Sequence, residues 1–180
     1  MKNQKYLWMA LLIISLGIPP LFASEDTTST KQPPPEKRIK AEKINWEPYD
    51  IGLKNAKKNN KHVFIDFSTA WCGWCKKMEQ EVFTDPKVID ILNNDFIPVR
   101  VDGDSKNVLD INGYKVTEKN LTRYEFGVRG YPTFWFLKPD GSKLTTFSGY
   151  RPADYMIQAL TFIKDYKYDT TKTKNGKSKK

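Results

Sequence analysis

A chain of 180 residues has room for one domain and its flanking segments. Its formal net charge of +9 is unevenly spread: Lys2 and Lys5 precede the first apolar run, Lys164 to Lys180 holds a net +5, and only +2 remains for everything between. A domain so near neutrality gives no footprint for nucleic acid, and no internal repeat suggests a solenoid.

The first element is a basic start, MKNQK, followed by a largely apolar run of twelve residues, Leu7 to Ile18, closed by Pro19-Pro20. With Leu21-Phe22-Ala23 as a cleavage site, residues 1–23 read as a secretory signal peptide. The alternative is an uncleaved membrane anchor, although the run is shorter than the ~20 residues that span a bilayer. No cysteine follows the site, which excludes a lipoprotein. Residues 24–43 are polar and centred on Pro33-Pro34-Pro35, an extended linker that buries no core.

A domain is expected over residues 44–166. Ile44-Asn45-Trp46 reads as a short strand, and Glu47 to Asn60 as a helix with Tyr49, Leu53 and Ala56 inward. Gly52 weakens the middle of that helix. Val63 to Phe67 is a buried strand interrupted by one acid, Asp66. A turn and a second helix follow. Thr84-Asp85-Pro86 opens a third helix, with Asp85 as N-cap and Pro86 at its first position. Its stripe is Val88, Ile91 and Leu92, and Phe96 to Val101 is the next strand.

Asp102 to Thr122 carries several acids, but a calcium loop would need a glutamate at its twelfth position, so it reads as a polar crossover. Ile111-Asn112-Gly113-Tyr114 within it signals a small hairpin. Asn120 to Phe126 reads as a short helix. Thr133 to Leu137 and Leu144 to Ser148 form an antiparallel pair around the Pro139-Asp140-Gly141 turn. A last helix starts at Pro152, with Met156, Ala159, Leu160 and Ile163 at core spacing. Lys164 to Lys180 has no apolar period, and residues 167–180 are expected to be a disordered lysine-rich tail.

Both cysteines of the chain, Cys72 and Cys75, lie in the turn after the central strand. A thiol in the first turn of a helix faces unpaired N–H groups and the positive end of the dipole, and ionises readily. A second thiol three residues on can resolve a mixed disulfide. A structural zinc site wants four ligands, and the chain offers two cysteines and one histidine, His62. A c-type haem attachment needs histidine where Lys76 stands. No metal and no cofactor is therefore expected. Dithiol–disulfide exchange is the reading, with Cys72 as the exposed attacking thiol. Asp66, inside an apolar strand, should have its pKa raised by burial, which suits it to take a proton from Cys75.

Asp66 six residues before Cys72, Trp71 directly before it, and Gly130-Tyr131-Pro132-Thr133 later in the chain together resemble the thioredoxin family. The resemblance runs roughly from Ile44 to Ile163, and Gly149 falls near a further family glycine. It is strongest to extracytoplasmic thioredoxin-like proteins and to the C-terminal domain of membrane thiol–disulfide interchange reductases. It implies an α/β fold, a central mixed β-sheet with helices on both faces, and a cis Tyr131-Pro132 bond that presents backbone to a client. Cys72 and Cys75 would form a redox-active disulfide, with Trp71, Trp74, Tyr131 and Pro132 contacting the client.

Departures are visible. Gly73-Trp74 replaces Gly-Pro, and Gln80 stands where the family kinks its helix with proline. The lysine that the family keeps near its buried acid is missing; Pro98 falls close to its place, and Arg100 is weighed as a substitute but not assigned the role. The resemblance implies a monomeric periplasmic, or otherwise extracytoplasmic, reductase of protein disulfides, with a membrane thiol–disulfide reductase as electron donor. The alternatives are a disulfide oxidase or isomerase and a non-catalytic client-binding module.

Overall fold

The run HVFIDFS has apolar side chains on both faces, so it must be covered on both, and it becomes the inner strand β1 (His62–Ser68). The computed structural model describes residues 43–169; the expected signal peptide, nearly all of the linker and the last eleven residues of the tail lie outside that range. Strand β2 (Phe96–Asp102) pairs with β1 in parallel. On the other side β5 (Thr133–Leu137) runs antiparallel, and β6 (Lys143–Ser148) follows it at the edge, giving the order β2-β1-β5-β6.

The two-residue period of β1 separates two cores. Phe64 points into one with Phe134 and Phe136, covered by α2 (Gly73–Glu81), α3 (Pro86–Asp95) and α5 (Ala153–Lys164) through Met78, Leu92 and Leu160. Val63, Ile65 and Phe67 point into the other, covered by α1 (Tyr49–Asn59) and by the segment from Leu109 to Val128. The expected mixed sheet with helices on both faces is thus what forms.

Local differences have physical reasons. Helix α1 begins at Tyr49, after Pro48, and buries Tyr49, Gly52 and Ala56, leaving Leu53 half-buried. A Cβ on Gly52 would lie 2.3 Å from Val99 Cγ2, so glycine sits mid-helix to let α1 approach β2 closely. Ile44-Asn45-Trp46 is not a strand; only Glu47 bridges to Val99, its N–H donating to Pro98 O at 2.9 Å. In α3, the Asp85 side chain accepts from the N–H groups of Lys87 and Val88, and Ile89 rather than Ile91 completes the buried stripe.

The polar crossover is more ordered than its composition suggests. It contains the hairpin β3 (Val108–Ile111) and β4 (Tyr114–Thr117), whose Asn112 and Gly113 both have positive φ as a tight hairpin turn requires. A helical turn, Glu118–Asn120, then leads into a π-helical turn, Leu121–Glu125, so the short helix starts two residues before Asn120. At the other end of the chain, Tyr166 and Tyr168 turn back onto buried His62, with the Tyr168 hydroxyl 2.6 Å from His62 Nε2. Ordered packing therefore continues to Tyr168, inside the stretch 167–180 expected to be a disordered tail.

Candidate active site

The sheet brings β1 out to a turn in which Cys72 N–H donates to Thr69 O at 3.1 Å. Cys72 is the N-cap of α2: its backbone is extended, and its Sγ accepts the N–H of Cys75 at 3.1 Å. Sulfur thus takes the place that a serine or aspartate oxygen takes in an ordinary cap. Cys72 and Cys75 are joined as a disulfide with their Cα atoms 5.3 Å apart. The first turn of α2 holds no acid, so nothing on that turn offsets the dipole that favours a thiolate. One expectation is corrected. Cys72 is only 5 % exposed, whereas Cys75 is half-buried.

Asp66 lies on the α2 side of the sheet, in register with Arg100 on β2. It is 3 % exposed. Burial pushes its carboxyl up from 3.8 to about 6, the Arg100 guanidinium opposes that rise, and Glu79 adds to it. Arg100 Nε donates to Asp66 Oδ2 at 3.0 Å, and Nη2 donates to Glu79 Oε2 at 2.6 Å. The guanidinium lies over the Trp46 ring, 4.2 Å from its centroid. Arg100 therefore does take the cationic place that the sequence reading left unassigned. Glu79 is one helical turn beyond Cys75, so this network joins the buried acid to the Cys75 face of α2.

The Tyr131-Pro132 bond is cis. Pro132 O accepts from Gly149 N–H at 2.8 Å, and Thr133 Oγ1 lies 2.8 Å from both Gly130 O and Ser148 Oγ, which pins the loop to β6. The Tyr131 phenol sits on Gly103, where a Cβ would fall 2.0 Å from the hydroxyl. Its pKa is raised by burial first, then by Asp104 and Asp102, with Arg123 opposing.

Two aromatic pairs are built from residues beside the cysteines. Trp71 is 68 % exposed, stands edge-on to Tyr131 and donates from Nε1 to Asp104 Oδ2 at 2.6 Å. Trp74 is also exposed and tilts against Tyr150, with Lys77 Nζ 4.7 Å from the Tyr150 centroid. The Tyr150 hydroxyl donates to Glu81 Oε2 at 2.7 Å. Asp104 and Tyr150 were not legible as site residues, whereas Arg100 was weighed as a substitute cation and stands opposite Asp66 on β2. Among the described residues, no group of three or more His, Cys, Asp or Glu could hold a metal ion, and no helix is long and apolar enough to cross a membrane.

Comparison with known proteins gives the same picture. The chain is similar to a thioredoxin from Thermus thermophilus, 27% identical with a TM-score of 0.56, covering 67% of this chain and 87% of that one. It is 25% identical over 130 residues to the Disulfide bond reductase DsbH of Chlamydia pneumoniae, covering 70% of this chain and 76% of that protein. The Protein disulfide-isomerase of Triticum aestivum is 29% identical over 112 residues, 62% of this chain. The chain spans 18% of that wheat protein and less than a fifth of several other curated relatives. A model of the Thioredoxin-like domain matches residues 49–164, from the first helix to the last, and this chain belongs to the thioredoxin-like family.

Proposed function

We propose that this chain is an extracytoplasmic thiol–disulfide oxidoreductase that reduces disulfides in protein clients. The observation that carries the reading is the capping geometry: Cys72 Sγ at the N-terminus of α2, accepting the Cys75 N–H. In the reduced protein the same N–H and the helix dipole stabilise a Cys72 thiolate.

The thiolate attacks one sulfur of a client disulfide. The client S–S bond breaks as the Cys72–client bond forms, and the second client sulfur leaves as a thiolate that takes up a proton. Cys75 then gives its proton to Asp66, whose carboxyl titrates at about 6 and so is largely ionised at neutral pH. The Cys75 thiolate attacks Cys72 Sγ, the Cys72–Cys75 bond forms as the Cys72–client bond breaks, and that client sulfur leaves as a thiolate that takes up a proton, the client having gained two electrons. An external dithiol must then reduce the protein, and a membrane thiol–disulfide reductase fits that role. The backbone at Tyr131, held beside Pro132, would pair with the client, and Trp71 and Trp74 would flank it.

The reducing direction is supported by the likeness to a disulfide bond reductase that covers most of that protein's length, and by Gly73-Trp74, which lacks a histidine between the cysteines. An extracytoplasmic place is supported by the basic start and apolar run of residues 1–23. The test is trapping with Cys75→Ser, which attacks but cannot release. The reading expects mixed disulfides to accumulate with extracytoplasmic proteins and to vanish when Cys72 is also replaced by serine. Absence of adducts, or adducts that survive without Cys72, would contradict it.

A further inference from the structure

Beside Tyr131 lies a cleft of about 580 Å³, walled by Asp104, Lys119, Arg123, Tyr124, Arg129 and Tyr131. Three of these side chains are cations and one is an acid. The acid is already engaged: Asp104 accepts from Trp71 Nε1 at 2.6 Å and lies 3.8 Å from Lys119 Nζ. Among the described residues, Arg123 and Arg129 have no carboxylate partner, and both are exposed. Asp102 also acts on the Tyr131 phenol but does not wall the cleft. Tyr124, 74 % exposed, adds an aromatic surface on the outer side.

The position of this cleft matters as much as its charge. Its inner wall, Tyr131, is also the residue whose ring stands edge-on to Trp71, the neighbour of Cys72. Its floor is tied to the active-site turn by the Trp71–Asp104 hydrogen bond and by Gly103 beneath Tyr131. Whatever brings a disulfide to Cys72 along Tyr131 carries its neighbouring residues past the guanidiniums of Arg123 and Arg129. A guanidinium recognises a carboxylate through two parallel hydrogen bonds, which a lysine cannot match.

We infer that the cleft selects protein clients that carry acidic side chains within a few residues of the disulfide to be reduced. The inference rests on the disulfide-exchange reading and adds the substrate class. Arg123 and Arg129 hold the client carboxylates, and Lys119 stays with Asp104 to keep Trp71 in place. The cleft is open to solvent, so each ion pair contributes modestly, as exposed pairs do.

The test uses the full chain, pre-reduced, in single-turnover stopped-flow against three peptides. All carry one intramolecular disulfide, and they differ only in flanking Glu, Gln or Lys. The Glu peptide should react about fivefold faster than the Gln peptide at low salt, the size of an exposed ion pair, with the Lys peptide slowest. The advantage should shrink as ionic strength rises and the Debye length shortens. In Arg123→Gln/Arg129→Gln the Glu-to-Gln ratio should fall to about one. In Lys87→Gln/Lys138→Gln, which removes the same charge from α3 and from the turn just after β5, the ratio should stay at the wild-type value.

Equal rates for the three peptides, or an equal loss of preference in the lysine control, would overturn the inference while leaving exchange intact. Reaction with oxidised glutathione faster than with any peptide would overturn the protein-client class. If none of the peptides is reduced, the exchange reading falls as well.

Discussion

Asp66→Asn separates the two roles of the buried acid. The carboxyl is raised from 3.8 to about 6, and that value already includes the opposing pull of Arg100. Well below pH 3.8 the group is protonated in folded and unfolded chains alike and contributes no pH dependence. As pH rises, the unfolded chain ionises first while the folded chain keeps its proton. Stability therefore falls by about 1.4 kcal/mol per unit until the folded carboxyl ionises near pH 6. The full penalty is about 3 kcal/mol and persists at neutral and alkaline pH. Asparagine keeps the shape and an oxygen for Arg100 Nε without ever ionising. Urea denaturation from pH 3 to pH 8 should show the variant equal to wild type at the acid end and about 3 kcal/mol more stable above about pH 7. In parallel, stopped-flow turnover should show slower release of the mixed disulfide, because Cys75 has lost its proton acceptor. A variant that is less stable than wild type at pH 8, with a difference that does not change with pH, would refute the reasoning. It would make Asp66 an ionised partner of Arg100 whose value lies in the pair.

Arg100→Gln should move Asp66 the opposite way from a rescue. Burial and Glu79 both raise its pKa, and the cation that opposes them would be gone, so the pH profile of mixed-disulfide release should shift upward. An unshifted profile would show that Asp66 is not the group being read. Truncation after Ile163 should lower the thermal midpoint, because Tyr166 and Tyr168 would no longer cover His62, each ring contact contributing about 0.5–1.5 kcal/mol. Truncation after Asp169 should leave the midpoint unchanged; the same loss from both cuts would place the contribution beyond residue 169.

The local features were the legible ones. An Asn-Gly pair allows few turns, Asp85-Pro86 allows one cap, and Cys72 and Cys75 at that spacing at a strand-to-helix turn leave little other chemistry. What escaped the sequence depends on register. Arg100 meets Asp66 only because β2 pairs with β1 so that the two residues stand side by side across 34 positions of chain. Trp71 finds Asp104 because the crossover folds over the active-site turn, and Tyr168 reaches His62 across 106 positions. The exposure of the two cysteines also went against expectation: a helix-start argument ranks thiol acidity but does not see burial, and Cys72 is the more buried of the two. Gly52 looked like a weakness in α1 and proved to be the point where α1 touches β2.

The central claim is that Cys72 and Cys75 donate electrons to client disulfides, and the reduction potential of that pair tests it most directly. Equilibration of the protein with glutathione redox buffers, followed by acid quench and alkylation, gives the oxidised fraction. The account predicts a potential in the reducing range, near that of thioredoxin at roughly −270 mV. A value near that of a strong oxidant, roughly −120 mV, would contradict it and make the chain a donor of disulfides.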